Sequence, residues 1–131
     1  MNLARSTVVI AFLLNVAGAV AASLHPTDLR CEYLKNPLGI DTPWPRLSWN
    51  LQPDKSSTRG LRQTAYQVLV ATSLRTLDRN QGDLWDSGRI DSDQSIQLKY
   101  HGKPLASEQD CYWKVRVWDE SGRGSDWSEP A

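Results

Sequence analysis

The sequence is poor in the residues from which most catalytic and metal sites are built. Its 131 residues include two cysteines, two histidines, one methionine and one phenylalanine. The histidines, His25 and His101, lie far apart and have no cysteine or carboxylate at the spacing of metal ligands. No glycine-rich phosphate loop and no nucleophile motif of a serine hydrolase is present. We therefore expect no catalytic residue, no cofactor and no metal site in this chain.

The sequence also lacks an excess of charge of either sign. Fifteen lysines and arginines balance fifteen aspartates and glutamates, so the formal net charge is zero. Nucleic-acid binding requires a basic patch, and none is predicted here. The acidic residues in the middle of the chain do not have the spacing of a calcium-binding EF-hand loop; they are Asp78, Asp83, Asp86, Asp91 and Asp93.

No hydrophobic run is long enough to cross a membrane, which takes about 20 apolar residues. Residues 1–22 carry a positive charge at Arg5, then a short apolar run, then small residues up to Ala21 and Ala22. This order is typical of a secretory signal peptide. We expect export to the periplasm or the exterior, with no membrane contact after cleavage, and one mature domain over residues 23–131.

The mature domain shows the period-two alternation of half-buried strands. The clearest case is residues 112–119, in which apolar Trp113, Val115 and Val117 alternate with longer polar side chains. Similar patterns predict strands over residues 29–33, 46–51, 64–72, 84–90 and 95–100. Ser73 is a suitable N-cap for one short helix that ends by Gly82. The fold class predicted is all-β, an immunoglobulin- or fibronectin-III-like antiparallel sandwich with one helical insertion.

The end of the sequence predicts an incomplete sandwich. A turn over residues 119–122 is followed by Trp127 and Pro130, and the sequence stops at Ala131. We expect the last strand, the partner of residues 112–119, to be missing. An unpaired strand edge promotes aggregation or strand exchange between chains.

The two cysteines, Cys31 and Cys111, are a candidate disulfide. Pairing is permitted in an exported protein with an even cysteine count. In the alternative, each thiol is a small buried apolar group on its own strand.

Four tryptophans are candidate contacts for a sugar ring or for a neighbouring domain: Trp44, Trp85, Trp118 and Trp127. Tryptophan in a β-sandwich usually packs in the core or on a sheet face, whereas carbohydrate-binding proteins expose its ring. Trp118 is predicted to lie on the opposite face from the core residue Trp113, since the two are five positions apart on one strand.

Four segments resemble a known family. They are LRCEYLKNPLGIDTPWPRLSWNL (residues 29–51), RGLRQTAYQVLVATS (59–73), LWDSGRIDSDQSIQLKYHGKPL (84–105) and CYWKVRVWDESGRGSDWSEPA (111–131). The combination of LWDSGRI with YWKVRVWD is the most specific part. On these motifs the chain resembles the amino-terminal domain of bacterial α-L-rhamnosidases of glycoside hydrolase family 78.

The resemblance implies a β-sandwich at the start of a multidomain enzyme. In that family further sandwich domains follow, then an (α/α)6 barrel whose acidic residues hydrolyse terminal α-L-rhamnosides with inversion. No catalytic position can be carried over, because the barrel is absent here. The resemblance therefore implies an inactive accessory domain, with the downstream domains of the parent rhamnosidase and plant-derived carbohydrate as partners. The alternative is a free-standing secreted carbohydrate-binding or adhesion module.

Overall fold

The computed structural model describes residues 24–54 and 60–131. The predicted signal peptide, residues 1–22, lies outside the described residues. The elements in chain order are β1 (Leu24–Cys31), β2 (Arg46–Pro53), β3 (Gln63–Ala71), α1 (Leu74–Asp78), β4 (Trp85–Asp86), β5 (Ile90–Asp91), β6 (Leu98–Lys99) and β7 (Tyr112–Asp119).

The strands form two antiparallel sheets. The first sheet has the order β1-β2-β6. In the second sheet β3 is central: β7 pairs along its whole length, and the short strands β4 and β5 pair with its two ends on the other side. The central position of β3 agrees with its sequence, which is apolar on both faces. The predicted all-β immunoglobulin-like class is confirmed.

The main core lies between the two sheets. Alternate residues of β3 and β7 face the first sheet, so the period-two pattern of the sequence becomes one buried layer. Val68, Val115 and Val117 have no exposed surface, and Trp49 and Tyr100 are almost completely buried. The other face of β3 packs on α1, where Leu69, Ala71 and Leu77 form a second small cluster. The predicted cap is confirmed, since Ser73 Oγ accepts a hydrogen bond from the Thr76 N–H at 3.1 Å.

A buried amide joins the two sheets at the first residue of β3. The Trp49 indole N–H of β2 donates to Gln63 Oε1 at 3.0 Å. Gln63 Nε2 donates in turn to the carbonyls of Ser92 and Gln94, at 3.1 and 2.9 Å. Gln63 is only 2% exposed, and its polar atoms are satisfied inside the protein, as burial requires.

Three predicted strands differ from the structure. The predicted strand over residues 84–90 is divided into two short strands, β4 (Trp85–Asp86) and β5 (Ile90–Asp91), because each pairs with only two residues of β3. The first strand covers Leu24–Cys31 rather than residues 29–33, because it pairs with β2 from Leu24 onward, with an irregularity between Thr27 and Arg30. The predicted strand over residues 95–100 is shortened to Leu98–Lys99, and Ile96 before it is 63% exposed, whereas Leu98 and Tyr100 are buried. The reason is the backbone of Gln97, whose φ of 54° interrupts the extended alternation just before β6.

The expectation of an unpaired edge on β7 is wrong. No regular strand follows β7 in residues 120–131, as predicted. Residues 123–131 nevertheless run antiparallel beside β7 and exchange backbone hydrogen bonds with it. These join Asp119 N–H to Arg123 O at 3.0 Å, Ser125 N–H to Val117 O at 2.7 Å, Ser128 N–H to Val115 O at 2.8 Å, and Trp113 to Ala131 in both directions at 3.0 Å.

Two serine hydroxyls complete this pairing. Ser125 Oγ accepts from the Val117 N–H at 3.0 Å, and Ser128 Oγ accepts from the Val115 N–H at 3.1 Å. Each hydroxyl occupies the place that a strand carbonyl would take in a regular ladder. The edge is therefore closed by an irregular segment, which removes the physical basis for edge-to-edge association at β7.

Candidate functional site

The four candidate tryptophans fall into two groups. Trp118 and Trp127 lie on the outer face of the second sheet, whereas Trp44 and Trp85 lie around the buried ring of Tyr100. The two groups have different surroundings.

The outer face of the second sheet carries a stack of cations and aromatic rings. The Arg116 guanidinium lies 4.9 Å from the ring centroid of Trp118 and 4.7 Å from that of Trp127. Lys114 Nζ lies 5.0 Å from the Trp127 centroid, and the Arg89 guanidinium lies 4.8 Å from the Trp118 centroid. The alternation of β7 explains the stack, because residues 114, 116 and 118 share the face away from the core. We call these five side chains the cation–aromatic stack.

Polar partners fix the cations of the stack. Arg116 Nε and Nη2 both donate to Gln67 Oε1, at 2.9 and 2.7 Å, and Gln67 Nε2 donates to Asp86 Oδ1 at 2.9 Å. Lys114 Nζ donates to Asn80 Oδ1 at 2.5 Å. Burial lowers the pKa of Lys114 from its ordinary value. Each of the two indole rings therefore already has two cationic partners, which favours the packing interpretation of Trp118 and Trp127 over sugar stacking.

The other two tryptophans form an aromatic cluster around Tyr100. The centroid of Trp85 lies 5.4 Å from that of Tyr100 in an edge arrangement, and that of Trp44 lies 6.3 Å from it. His101 packs on Trp85 at 6.4 Å. The Tyr100 hydroxyl donates to the Lys103 carbonyl at 2.5 Å, and burial raises the pKa of Tyr100 to about 12. Trp44 is 39% exposed, so this cluster offers an aromatic surface to solvent.

The two cysteines meet at one end of the sandwich. Cys31 ends β1 and Cys111 precedes β7, and both line one groove of about 550 Å³. Both thiols are free and partly exposed. Burial raises the pKa of Cys31 to about 11 and also raises that of Cys111. The disulfide stays a prediction, and the structure describes the reduced form.

Two surface loops form the rim of this groove. They are residues 36–40, which carry Leu38 and Ile40, and residues 105–112, which carry Glu108 and Asp110. Ala131 also lines it, next to the start of β7. We refer to this surface as the Cys31–Cys111 groove.

Two of the central acidic residues accept backbone hydrogen bonds. Asp83 accepts from the Thr72 N–H at 2.9 Å and from Thr72 Oγ1 at 2.6 Å, and Asp86 accepts from the Gly88 N–H at 2.9 Å. Within residues 24–54 and 60–131, no group of three histidine, cysteine or acidic side chains is arranged to hold a metal ion. In the same described ranges, no helix has the length and apolar character needed to span a membrane.

Comparison with known proteins decides the family. A model of the N-terminal immunoglobulin domain of Rha78A-like proteins matches residues 26–131. The chain belongs to this family. The resemblance to the amino-terminal domain of α-L-rhamnosidases is thereby confirmed.

The sequence relatives of this Rha78A-like domain are much longer proteins. An α-L-rhamnosidase of Streptomyces avermitilis is 44% identical over 110 residues, which cover 84% of this chain and 10% of that protein. An α-L-rhamnosidase of Formosa agariphila is 43% identical over 95 residues, covering 72% of this chain and 10% of that protein. The chain thus spans about a tenth of the length of these curated relatives.

Solved structures give the same result for the fold. The S. avermitilis α-L-rhamnosidase, solved in complex with L-rhamnose, matches 82% of this chain and 10% of its own with a TM-score of 0.75. The α-L-rhamnosidase of Dictyoglumus thermophilum is 42% identical and matches 81% of this chain and 12% of its own with a TM-score of 0.76.

Proposed function

We propose that this chain is the non-catalytic N-terminal accessory domain of an exported α-L-rhamnosidase of glycoside hydrolase family 78. The observation that carries the proposal is the match of residues 26–131 to an N-terminal immunoglobulin domain, in proteins of which the chain spans about a tenth. The parent enzyme would hydrolyse terminal α-L-rhamnosides in its other domains.

The geometry of the groove supports a role without catalysis. An inverting glycosidase places its two carboxyl groups on opposite sides of the scissile bond, about 6.5–9.5 Å apart. The acidic side chains that line the Cys31–Cys111 groove are Glu108 and Asp110. Both belong to one loop, and the other rim of the groove, residues 36–40, contains no carboxylate.

Domain replacement tests the accessory role. In the S. avermitilis α-L-rhamnosidase, the segment that matches this chain would be deleted, or replaced by residues 24–131 of this chain. We expect the deletion to shorten the half-life of the enzyme at elevated temperature and the replacement to restore it, with kcat/KM for p-nitrophenyl α-L-rhamnoside within about twofold of the host. A replacement enzyme as labile as the deletion would contradict the proposal.

Export rests on the order of charged, apolar and small segments in residues 1–22. A fusion of residues 1–30 to a reporter enzyme that is active only outside the cytoplasm should be active and cleaved near Ala21 or Ala22. An uncleaved, inactive fusion would reject export.

A carbohydrate-binding module is the second candidate function, and the partly exposed ring of Trp44 near Tyr100 supports it. Titration with L-rhamnose should then change tryptophan fluorescence saturably, and Trp44→Ala should abolish the change while Trp127→Phe keeps it. No saturable change in the unmodified chain would reject this candidate.

A further inference from the structure

We propose that the Cys31–Cys111 groove is the surface on which an adjoining domain of a longer α-L-rhamnosidase docks. The occupant is an apolar side chain accompanied by at least one lysine or arginine. The inference rests on the proposed function and assigns that role to one surface.

The rim of the groove carries exposed apolar side chains. Leu38 is 99% exposed, and Leu74, on the other side of the groove, is 44% exposed. Pro37 and Ile40 extend the same surface. A leucine that leaves nearly all of its side chain in water gains by burial against an apolar partner. Several exposed apolar residues around one groove are typical of an interaction surface.

The charge of the groove is the second argument, because it limits the chemistry of the partner. Glu108 and Asp110 line the groove, and both are exposed. In the part of the chain that the structure describes, no lysine or arginine lines it. A partner with a cation beside its apolar group would be complementary, and one with a carboxylate there would be repelled.

The path of the chain is the third argument. Ala131 lines the groove, and its backbone is hydrogen-bonded to Trp113 in both directions at 3.0 Å. In relatives about ten times as long, the polypeptide that follows the matching domain would leave it at this rim. The adjoining part of such a protein is therefore the nearest partner for the groove.

Two of the other outer surfaces offer less to a partner. On the second sheet, Trp118 and Trp127 are already covered by the cations of the stack. Ile96 is exposed at 63% but lies outside the groove, and a single exposed apolar residue is common on protein surfaces.

The cysteines supply a direct test, because the two thiols of the sequence both line the groove. Labelling by N-ethylmaleimide would be followed by peptide mass mapping in the isolated chain and in the replacement enzyme described above. We expect both thiols to react at least tenfold more slowly in the replacement enzyme. Equal rates in the two proteins would overturn the proposal, and so would protection that grows with the concentration of the isolated chain, which would identify a second copy as the occupant.

Matched variants separate docking from folding. Leu38→Asp in the replacement enzyme should return the labelling rates to those of the isolated chain and shorten the half-life at elevated temperature. Ile96→Asp is the control for an exposed apolar residue outside the groove. It should change neither the labelling rates nor the half-life of the replacement enzyme. In the isolated chain both variants should melt like the unmodified protein, because each side chain is largely in water.

The outcomes distinguish the two proposals. A replacement enzyme no more stable than the deletion rejects the accessory function. A stable replacement enzyme whose thiols react as fast as in the isolated chain rejects the groove as the docking surface and leaves the accessory function standing. Glu108→Lys provides a further check, since it should weaken thiol protection, whereas Glu120→Lys, on an exposed turn outside the groove, should not.

Discussion

Trp113 and Ala131 exchange two backbone hydrogen bonds, one in each direction and each 3.0 Å long. Trp113 is a core residue that is only 6% exposed, so this pair fixes residue 131 against the start of β7. The segment before it covers the edge of β7, and the same pair places Ala131 in the Cys31–Cys111 groove. Residues 123–131 thus cover the edge of the sandwich and bring Ala131 to the proposed docking surface.

The first prediction concerns Ser125, whose hydroxyl accepts from the Val117 N–H at 3.0 Å and is buried at 8% exposure. Ser125→Ala removes that acceptor and leaves the strand N–H without a partner. We expect the free energy of unfolding to fall by about 1–3 kcal/mol, measured by urea denaturation. Ser107→Ala, at an exposed position, is the control. It should change the free energy of unfolding by less than about 0.5 kcal/mol. Equal effects would show that the hydroxyl does not support the segment.

The second prediction concerns the buried amide of Gln63, which bonds the Trp49 indole and the carbonyls of Ser92 and Gln94. Gln63→Met keeps the length of the side chain but removes its polar atoms. We expect destabilisation of about 2–3 kcal/mol, because several buried groups lose their partner. Gln52→Met, on the exposed side of β2, is the matched control. A melting temperature of Gln63→Met equal to that of the control would contradict this role.

The third prediction concerns Arg116, which stacks on Trp118 and Trp127 and is held by Gln67. Arg116→Met keeps most of the aliphatic stem and removes the guanidinium. We expect a loss of about 1–3 kcal/mol in stability and greater quenching of tryptophan fluorescence by acrylamide. Arg75→Met on the helix surface, where Arg75 is exposed, should alter neither quantity. Unchanged quenching in Arg116→Met would mean that the cation does not cover the rings.

The fourth prediction concerns pH and the Cys31 thiol. Burial raises its pKa from 9.0 to about 11 in the folded protein. Between these values the unfolded thiol is ionised while the folded thiol keeps its proton. Rising pH therefore stabilises the unfolded state relative to the folded state. The free energy of unfolding should therefore fall between pH 9 and pH 11, and less steeply in Cys31→Ala. Parallel curves for the two proteins would exclude a contribution from this thiol.

The state of the two thiols can be checked in the same samples. Titration of the denatured, non-reduced protein with a thiol reagent counts its free thiols. Two free thiols would reject a disulfide between Cys31 and Cys111, and none in a monomeric sample would support it.

Where apolar alternation is regular, the sequence predicts the fold well. The strands Tyr112–Asp119 and Gln63–Ala71 and the cap at Ser73 are all present. Each depends on neighbouring residues in the chain, through a period of two or a local hydrogen bond. Ile96 fails the same rule because one left-handed residue, Gln97, changes the direction of the backbone.

The features that sequence patterns missed depend on distant partners. Residues 123–131 show no apolar alternation, and the hydroxyls of Ser125 and Ser128 support their pairing with β7. Gln63 is a polar residue whose burial depends on a hydrogen bond from β2. The cation–aromatic stack includes Arg89, which lies far from Trp118 in sequence. The groove likewise combines loops that no local pattern connects.

The proposed accessory domain is expected to have no rhamnosidase activity of its own. The most direct measurement is the release of p-nitrophenol from p-nitrophenyl α-L-rhamnoside by the purified chain, with the S. avermitilis enzyme as the positive control. We predict no release above the buffer rate at any chain concentration, under conditions in which the control is active. Release that rises in proportion to the chain concentration and is lost when the chain is unfolded would contradict the account.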